Sequence, residues 1–109
     1  MALHGWTMTL KPGCEAEYDR AHREIWPEML AMLHGSGITQ YAIFRDGRTV
    51  FGCMDTPDIA ATRAHIAASP VNARWQAEMR KLVEDDPRRT GPGVAMAMER
   101  AWDMPPPKR

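Results

Sequence analysis

Two short runs rich in β-branched and aromatic residues, ITQYAIF (38–44) and TVFGCM (49–54), stand either side of Arg45-Asp46-Gly47-Arg48. Asp-Gly between two such runs is among the strongest short hairpin signals, because a two-residue turn of the I′ type needs positive φ at both central positions. The sequence therefore commits its middle to an antiparallel hairpin, and everything else must pack around it. Upstream, LHGWTMTL (3–10) alternates His4, Trp6, Met8 and Leu10 with smaller residues and ends at Lys11-Pro12-Gly13, which predicts a strand closed by a turn. From 14 to about 33 the apolar period changes. Tyr18, His22, Trp26, Met29 and Leu33 follow at steps of four and three, the stripe of one amphipathic helix, and Gly35 suits its end.

Downstream of the hairpin, Asp55-Thr56-Pro57 predicts a helix start, with Asp55 or Thr56 as cap and Pro57 at the first helical position. That helix runs to about 68, Ser69-Pro70 interrupts it, and a further helix covers 71–84. EDDPRRTGPG (84–93) reads as a solvated loop and VAMAMERAW (94–102) as a last strand. The order β-α-β-β-α-(α)-β predicts an α+β, ferredoxin-like fold, an antiparallel sheet with helices on one face. Residues 1–104 make one domain and 105–109 a Pro-rich tail. Both faces of the expected strands carry apolar side chains, and helices can cover only one. A second copy of the chain, packed sheet to sheet, would cover the other.

Lysine plus arginine equals aspartate plus glutamate, 14 each, so charge supplies no reason to expect nucleic acid or an anionic membrane. No apolar run approaches membrane-spanning length, and the N-terminus lacks the regions of a secretory signal. A cytoplasmic location is expected, with the two cysteines, Cys14 and Cys53, as free thiols. GxGxxG, Walker, HExxH, GxSxG and CxxC motifs are absent, and the four histidines have no ligand spacing. Neither a metal nor a cofactor is expected.

His22 shares its stripe with Tyr18 and Trp26. Pattern alone favours a packing role for it, since most residues on an apolar helix face serve packing. The chemical alternative is proton transfer between aromatic walls, which suits a group with a reference pKa of about 6.5. Tyr41, beside Thr39 and Ile43, is either a sheet tyrosine with its hydroxyl at the rim or a hydroxyl aimed into the same pocket as His22, and Trp75, on the later helix, is either a core residue or an apolar plate for a sugar face.

The tracts YDRAHREIWPEML (18–30), QYAIFRDGRTVFGCM (40–54) and SPVNARWQAEMRKLV (69–83) resemble the L-rhamnose mutarotase family. The resemblance covers nearly the whole chain. It implies a dimeric α+β barrel and a cofactor-free enzyme that interconverts the α and β anomers of a 6-deoxyhexose. It places the proton donor on His22 and substrate-binding tyrosines on Tyr18 and Tyr41. The family's adjacent tryptophan pair is kept here only as Trp75, with Gln76 in the second position. That change brings L-fucose in beside L-rhamnose as a substrate.

On this reading His22 is the acid, Tyr18 and Tyr41 position the sugar or relay a proton, Trp75 and Gln76 contact it, and Trp26 is a possible pocket wall. The base is not identified, since Glu24 lies off the stripe. Pro27 is expected to bend the helix over 18–30 and hold a gap beside His22. A cofactor-free monooxygenase of the same barrel type and a non-catalytic small-molecule binding module share the element order.

Overall fold

The computed structural model describes residues 2–91 and 93–108. Met1 and Arg109, the outer ends of the expected domain and tail, and Pro92 of the expected 84–93 loop lie outside the described residues. The strands are β1 (Leu3–Thr9), β2 (Gln40–Asp46), β3 (Thr49–Asp55) and β4 (Met96–Ala97). The helices are α1 (Glu15–Arg23), α2 (Pro27–His34), α3 (Ile59–Ala67) and α4 (Pro70–Arg80). The sheet order is β2-β3-β1-β4 and every neighbouring pair is antiparallel. This is the expected ferredoxin-like α+β arrangement, in which β3 lies between β1 and β2.

The hairpin turns one residue later than Asp46-Gly47 predicts. Asp46 pairs with Thr49, so Gly47 and Arg48 form the loop. Gly47 has φ 57°, and no non-glycine residue has positive φ among the described residues. Positive φ at the first central residue alone is the II′ pattern, which places glycine there. Asp46 thereby stays in the ladder.

The single helix expected over 14–33 is two. α1 ends at Arg23, and Trp26 is the extended N-cap of α2, at φ −60° and ψ 134°. Pro27 is the first residue of α2. A proline there deletes no intrahelical bond, because the first N–H groups of a helix have no partner, and its ring drives the preceding residue out of the helical region. Pro27 therefore starts a helix and does not bend one.

α3 also starts later than expected. Its cap is Asp58, which accepts the Ala61 N–H at 3.1 Å. The two residues expected to cap are committed elsewhere. Asp55 accepts the Ala2 N–H at 2.9 Å, and Thr56 is buried against Thr62, hydroxyl to hydroxyl at 2.7 Å. α4 stops at Arg80, short of 84, because the chain turns to meet β1. Leu10 bridges Val83, Lys11 donates to the Leu82 carbonyl at 2.8 Å, and Glu84 donates to Thr9 at 2.8 Å. β4 is two residues long where 94–102 was expected. The Val94 N–H, which would begin the ladder, donates instead to the side chain of Gln76 at 3.1 Å. Past Met98, whose N–H reaches Gly5 at 2.9 Å, the chain leaves β1.

Register sorts the sheet into two faces. Trp6, Met8 and Val50 are buried and pack with Tyr18 of α1, Met29 of α2, and Trp75 and Met79 of α4. The opposite face carries Thr7, Phe51, Cys53, Ala42 and Phe44. There Phe44 and Phe51 stack with ring centroids 6.2 Å apart and are 61% and 38% exposed. The helices thus cover one face and leave an apolar one open.

Candidate active site

The covered face is not filled completely. A cleft of about 640 Å³ lies between the helices and the sheet, within the range of small-molecule sites. α1 supplies Tyr18, Asp19 and His22, the α1–α2 break supplies Ile25, α4 supplies Asn72, Trp75 and Gln76, and the sheet supplies Trp6, Tyr41, Ile43 and Arg45. Tyr18 and His22 are one turn apart and share a face, so their rings lie 4.3 Å apart. The His22 ring meets the Trp75 ring edge to face at 5.3 Å.

The His22 tautomer follows from its partner. Nδ1 lies 2.9 Å from the Tyr18 carbonyl oxygen, which can only accept, so Nδ1 carries the hydrogen and Nε2 keeps a lone pair. Burial lowers the imidazole pKa below its ordinary 6.5, against the opposing pull of the Tyr18 carbonyl and the Asp19 carboxylate. The resting ring is neutral at pH 7.

Tyr18 is 2% exposed, and its hydroxyl is buried with no hydrogen-bond partner among the described residues. A buried hydroxyl left unpaired costs about 1–3 kcal/mol, and here it belongs to a cleft-lining residue. Desolvation raises its pKa far above the usual value, with Tyr41 and Asp19 adding to the effect. Tyr41 differs, for its hydroxyl accepts the Trp6 indole N–H at 2.8 Å. Desolvation pushes that phenol up to about 12, while the Trp6 bond acts in the opposite sense. Both phenols stay protonated through neutral pH.

Of the expected site residues, Trp26 is the one the structure places differently. Trp26 is not part of the cleft lining. As the cap of α2 it turns edge-on against Trp75, centroids 5.3 Å apart, and backs that wall from outside. Gln76 lines the cleft, but its Oε1 accepts from Val94 and its Nε2 donates to Asn72 Oδ1 at 3.2 Å, so the amide clamps the 93–94 segment to α4. Glu24 lies outside the cleft, paired with Arg20 at 2.8 Å in solvent.

Two features were missed. Asp19 and Arg45 form a bidentate ion pair, at 2.8 and 2.5 Å, that ties α1 to β2 beside the cleft. The Arg45 guanidinium holds the Asp19 carboxyl below its usual range. Alternation could have found Arg45, which shares a sheet face with Tyr41 and Ile43. The other is Trp6, whose indole crosses β3 above Gly52. No group of three or more His, Cys, Asp or Glu side chains that could hold a metal occurs among the described residues.

The family whose model matches this sequence is L-rhamnose mutarotase, over residues 4–104. The chain belongs to the L-rhamnose mutarotase family. An L-rhamnose mutarotase of Rhizobium johnstonii is 41% identical over 86 residues, which cover 77% of this chain and 80% of that one. A crystal structure of an L-rhamnose mutarotase from Formosa agariphila superposes with a TM-score of 0.75 at 22% identity, covering 95% of this chain and 99% of that one. An antibiotic biosynthesis monooxygenase superposes with a TM-score of 0.62 at 17% identity, over 93% and 99% of the two chains. The barrel-type α+β fold is thus common to a mutarotase and a monooxygenase, and fold alone does not choose between their chemistries. The family assignment does, and for a mutarotase family member the cleft needs one proton-transfer group and walls that hold a sugar.

Proposed function

We propose that this protein is an aldose mutarotase, an isomerase that interconverts the α and β anomers of L-rhamnose without a cofactor. One observation carries the mechanism: His22 presents a lone pair on Nε2, locked by its Nδ1 bond, beside the unpartnered hydroxyl of Tyr18. Nε2 takes the proton from the anomeric O1. The C1–O1 double bond forms as the bond from C1 to the ring oxygen O5 breaks, and the imidazolium returns the proton to O5. Rotation about C1–C2 presents the other aldehyde face, and the same steps in reverse close the ring.

Both oxygens are bonded to C1, so a single imidazole can serve them in turn. His22 is then the acid expected from the sequence, and also the base that the sequence left unidentified. Tyr18 and Tyr41 hold sugar hydroxyls, and Trp75 takes an apolar side of the ring.

L-Fucose stays within this reading. Gln76 retains one amide hydrogen and one carbonyl lone pair beyond its bonds to Asn72 and Val94, enough to contact a sugar hydroxyl. The test is anomer exchange of freshly dissolved sugar, followed by NMR, over L-rhamnose, L-fucose and D-glucose. The reading requires faster exchange of the 6-deoxyhexoses. Saturable binding without faster exchange would make the protein a binding module, and oxygen uptake with an electron-rich aromatic would make it a monooxygenase.

The pH dependence follows from His22. Its depressed pKa keeps Nε2 unprotonated down to below pH 6.5, so kcat/KM should be level across neutral pH and fall on the acid side with a midpoint under 6.5. A profile that instead falls as pH rises through 7 would mean that the resting imidazole is charged.

The open sheet face is proposed to pack on a second copy of the chain. Its stacked Phe44–Phe51 pair is apolar and exposed, and a net charge of zero removes long-range repulsion between copies. Phe44→Glu with Phe51→Glu should convert a dimer to a monomer, read by light scattering on a sizing column. A monomeric parent protein would reject the dimer. No described helix is long and apolar enough to cross a membrane. Free Cys14 and Cys53 suit a reducing, cytoplasmic setting.

A further inference from the structure

We propose that Trp6 is a positioning residue that fixes the Tyr41 hydroxyl as a hydrogen-bond donor to the sugar. The inference rests on the mutarotase reading for its ligand, and on the geometry of three strands for everything else. Trp6 is on β1, Tyr41 on β2, and β3 runs between them. Trp6 pairs with Gly52 across the β1–β3 ladder, and Gly52 pairs with Ile43, two residues from Tyr41, across the β3–β2 ladder. The indole therefore reaches Tyr41 only by lying over β3 at Gly52.

Glycine is what permits this. A Cβ at Gly52 would lie 2.0 to 2.4 Å from Trp6 ring atoms, far inside contact distance. Gly52 is buried and its extended backbone makes no demand for glycine, so the close approach of the ring is the reason for the residue.

Chemistry then sets the direction of the bond. An indole N–H donates and cannot accept. The 2.8 Å contact makes Tyr41 Oη the acceptor, so its own hydrogen must point elsewhere. Trp6 is 7% exposed, and a buried indole N–H without a partner would be costly, which holds the pair together. The rings meet edge to face at 6.4 Å and 81°, further limiting how Tyr41 can turn. Tyr41 lines the cleft, and its remaining hydrogen is available to a sugar oxygen.

Two measurements test this. Trp6→Phe removes the N–H and keeps a ring, and is expected to raise KM for anomer exchange about three- to tenfold with little change in kcat, the effect of one neutral hydrogen bond. Because Trp6 acts through Tyr41, the Trp6→Phe/Tyr41→Phe double variant should be no worse than Tyr41→Phe alone. Multiplying losses would overturn the proposal, since they would give Trp6 a separate structural role.

The second measurement needs neither turnover nor a folded Trp6 variant. The indole 1H–15N resonance of Trp6 should shift in Tyr41→Phe while those of Trp26, Trp75 and Trp102 hold. An unmoved resonance overturns the bond itself. If the parent protein fails to speed anomer exchange, the mutarotase reading fails, and the resonance still decides whether Trp6 and Tyr41 are paired.

Discussion

His22→Ala is expected to lower kcat for anomer exchange by about 10²- to 10⁴-fold, the range that a positioned acid–base group contributes. The loss should fall on kcat more than on KM, because in the proposed mechanism the imidazole acts on O1 and O5 while Tyr18, Tyr41 and Trp75 hold the sugar. A phenylalanine control separates chemistry from packing. His22→Phe keeps a ring between Tyr18 and Trp75, so it should fold well and still be inactive. A His22→Ala or His22→Phe variant within tenfold of the parent rate would remove His22 from the mechanism.

The same substitution carries a stability prediction with a definite sign. Burial lowers the folded pKa of His22, while the unfolded chain titrates near 6.5. Below that pH the unfolded state binds the extra proton, so the contribution is present above 6.5 and lost as pH falls through the folded value. His22→Phe lacks this penalty. Its midpoint of thermal unfolding should therefore decline less than the parent's between pH 7 and pH 5.

Much of the fold was legible because hydrophobic period and turn chemistry agree. Trp6, Met8 and Leu10 keep the alternation of β1 through to the core, and Ser69-Pro70 interrupts the helical run as expected, with Ser69 capping α4 and Pro70 as its first residue. Where the sequence misled, side chains had been claimed by distant partners. Asp55 and Thr56 look like caps, yet one holds Ala2 and the other Thr62. The alternation from Val94 to Met98 looks like a strand, yet Gln76 takes the backbone group that would start it. No local rule sees a bond across 18 residues. Pro27 is different, because the rule that places proline first in a helix was available, and the unbroken stripe from Tyr18 to Leu33 outweighed it.

The candidate site shows the same division. Tyr18, His22, Tyr41, Trp75 and Gln76 all line one cleft, and the motif resemblance had singled them out. Trp26 was grouped with them by its spacing from His22, which assumed one continuous helix. The break before Pro27 rotates it onto the back of Trp75. Trp6, Asp19 and Arg45 contribute through register and cross-element pairing, which period alone does not report.

Gly52→Ala is the sharpest probe of how sheet and site depend on one another. The added methyl would collide with Cε2, Cζ2 and Nε1 of Trp6 at 2.0, 2.2 and 2.4 Å, and the indole must move as a rigid plate. Overpacking of this kind costs about 1–3 kcal/mol. At about 4–8 °C per kcal/mol for a domain near this size, Tm should fall by roughly 4–24 °C. The displaced indole also releases Tyr41, so KM should rise at least as far as in Trp6→Phe.

The decisive comparison is the sign of the change in two backgrounds. In the parent, alanine at 52 clashes and destabilises. In Trp6→Leu the obstacle is gone, and alanine should stabilise the strand relative to glycine by about 0.5–1 kcal/mol. A Gly52→Ala cost that is equal in both backgrounds would show that the indole is not what keeps residue 52 without a side chain. A reversal of sign would show that the Trp6 indole lying over β3 is what excludes a side chain at position 52.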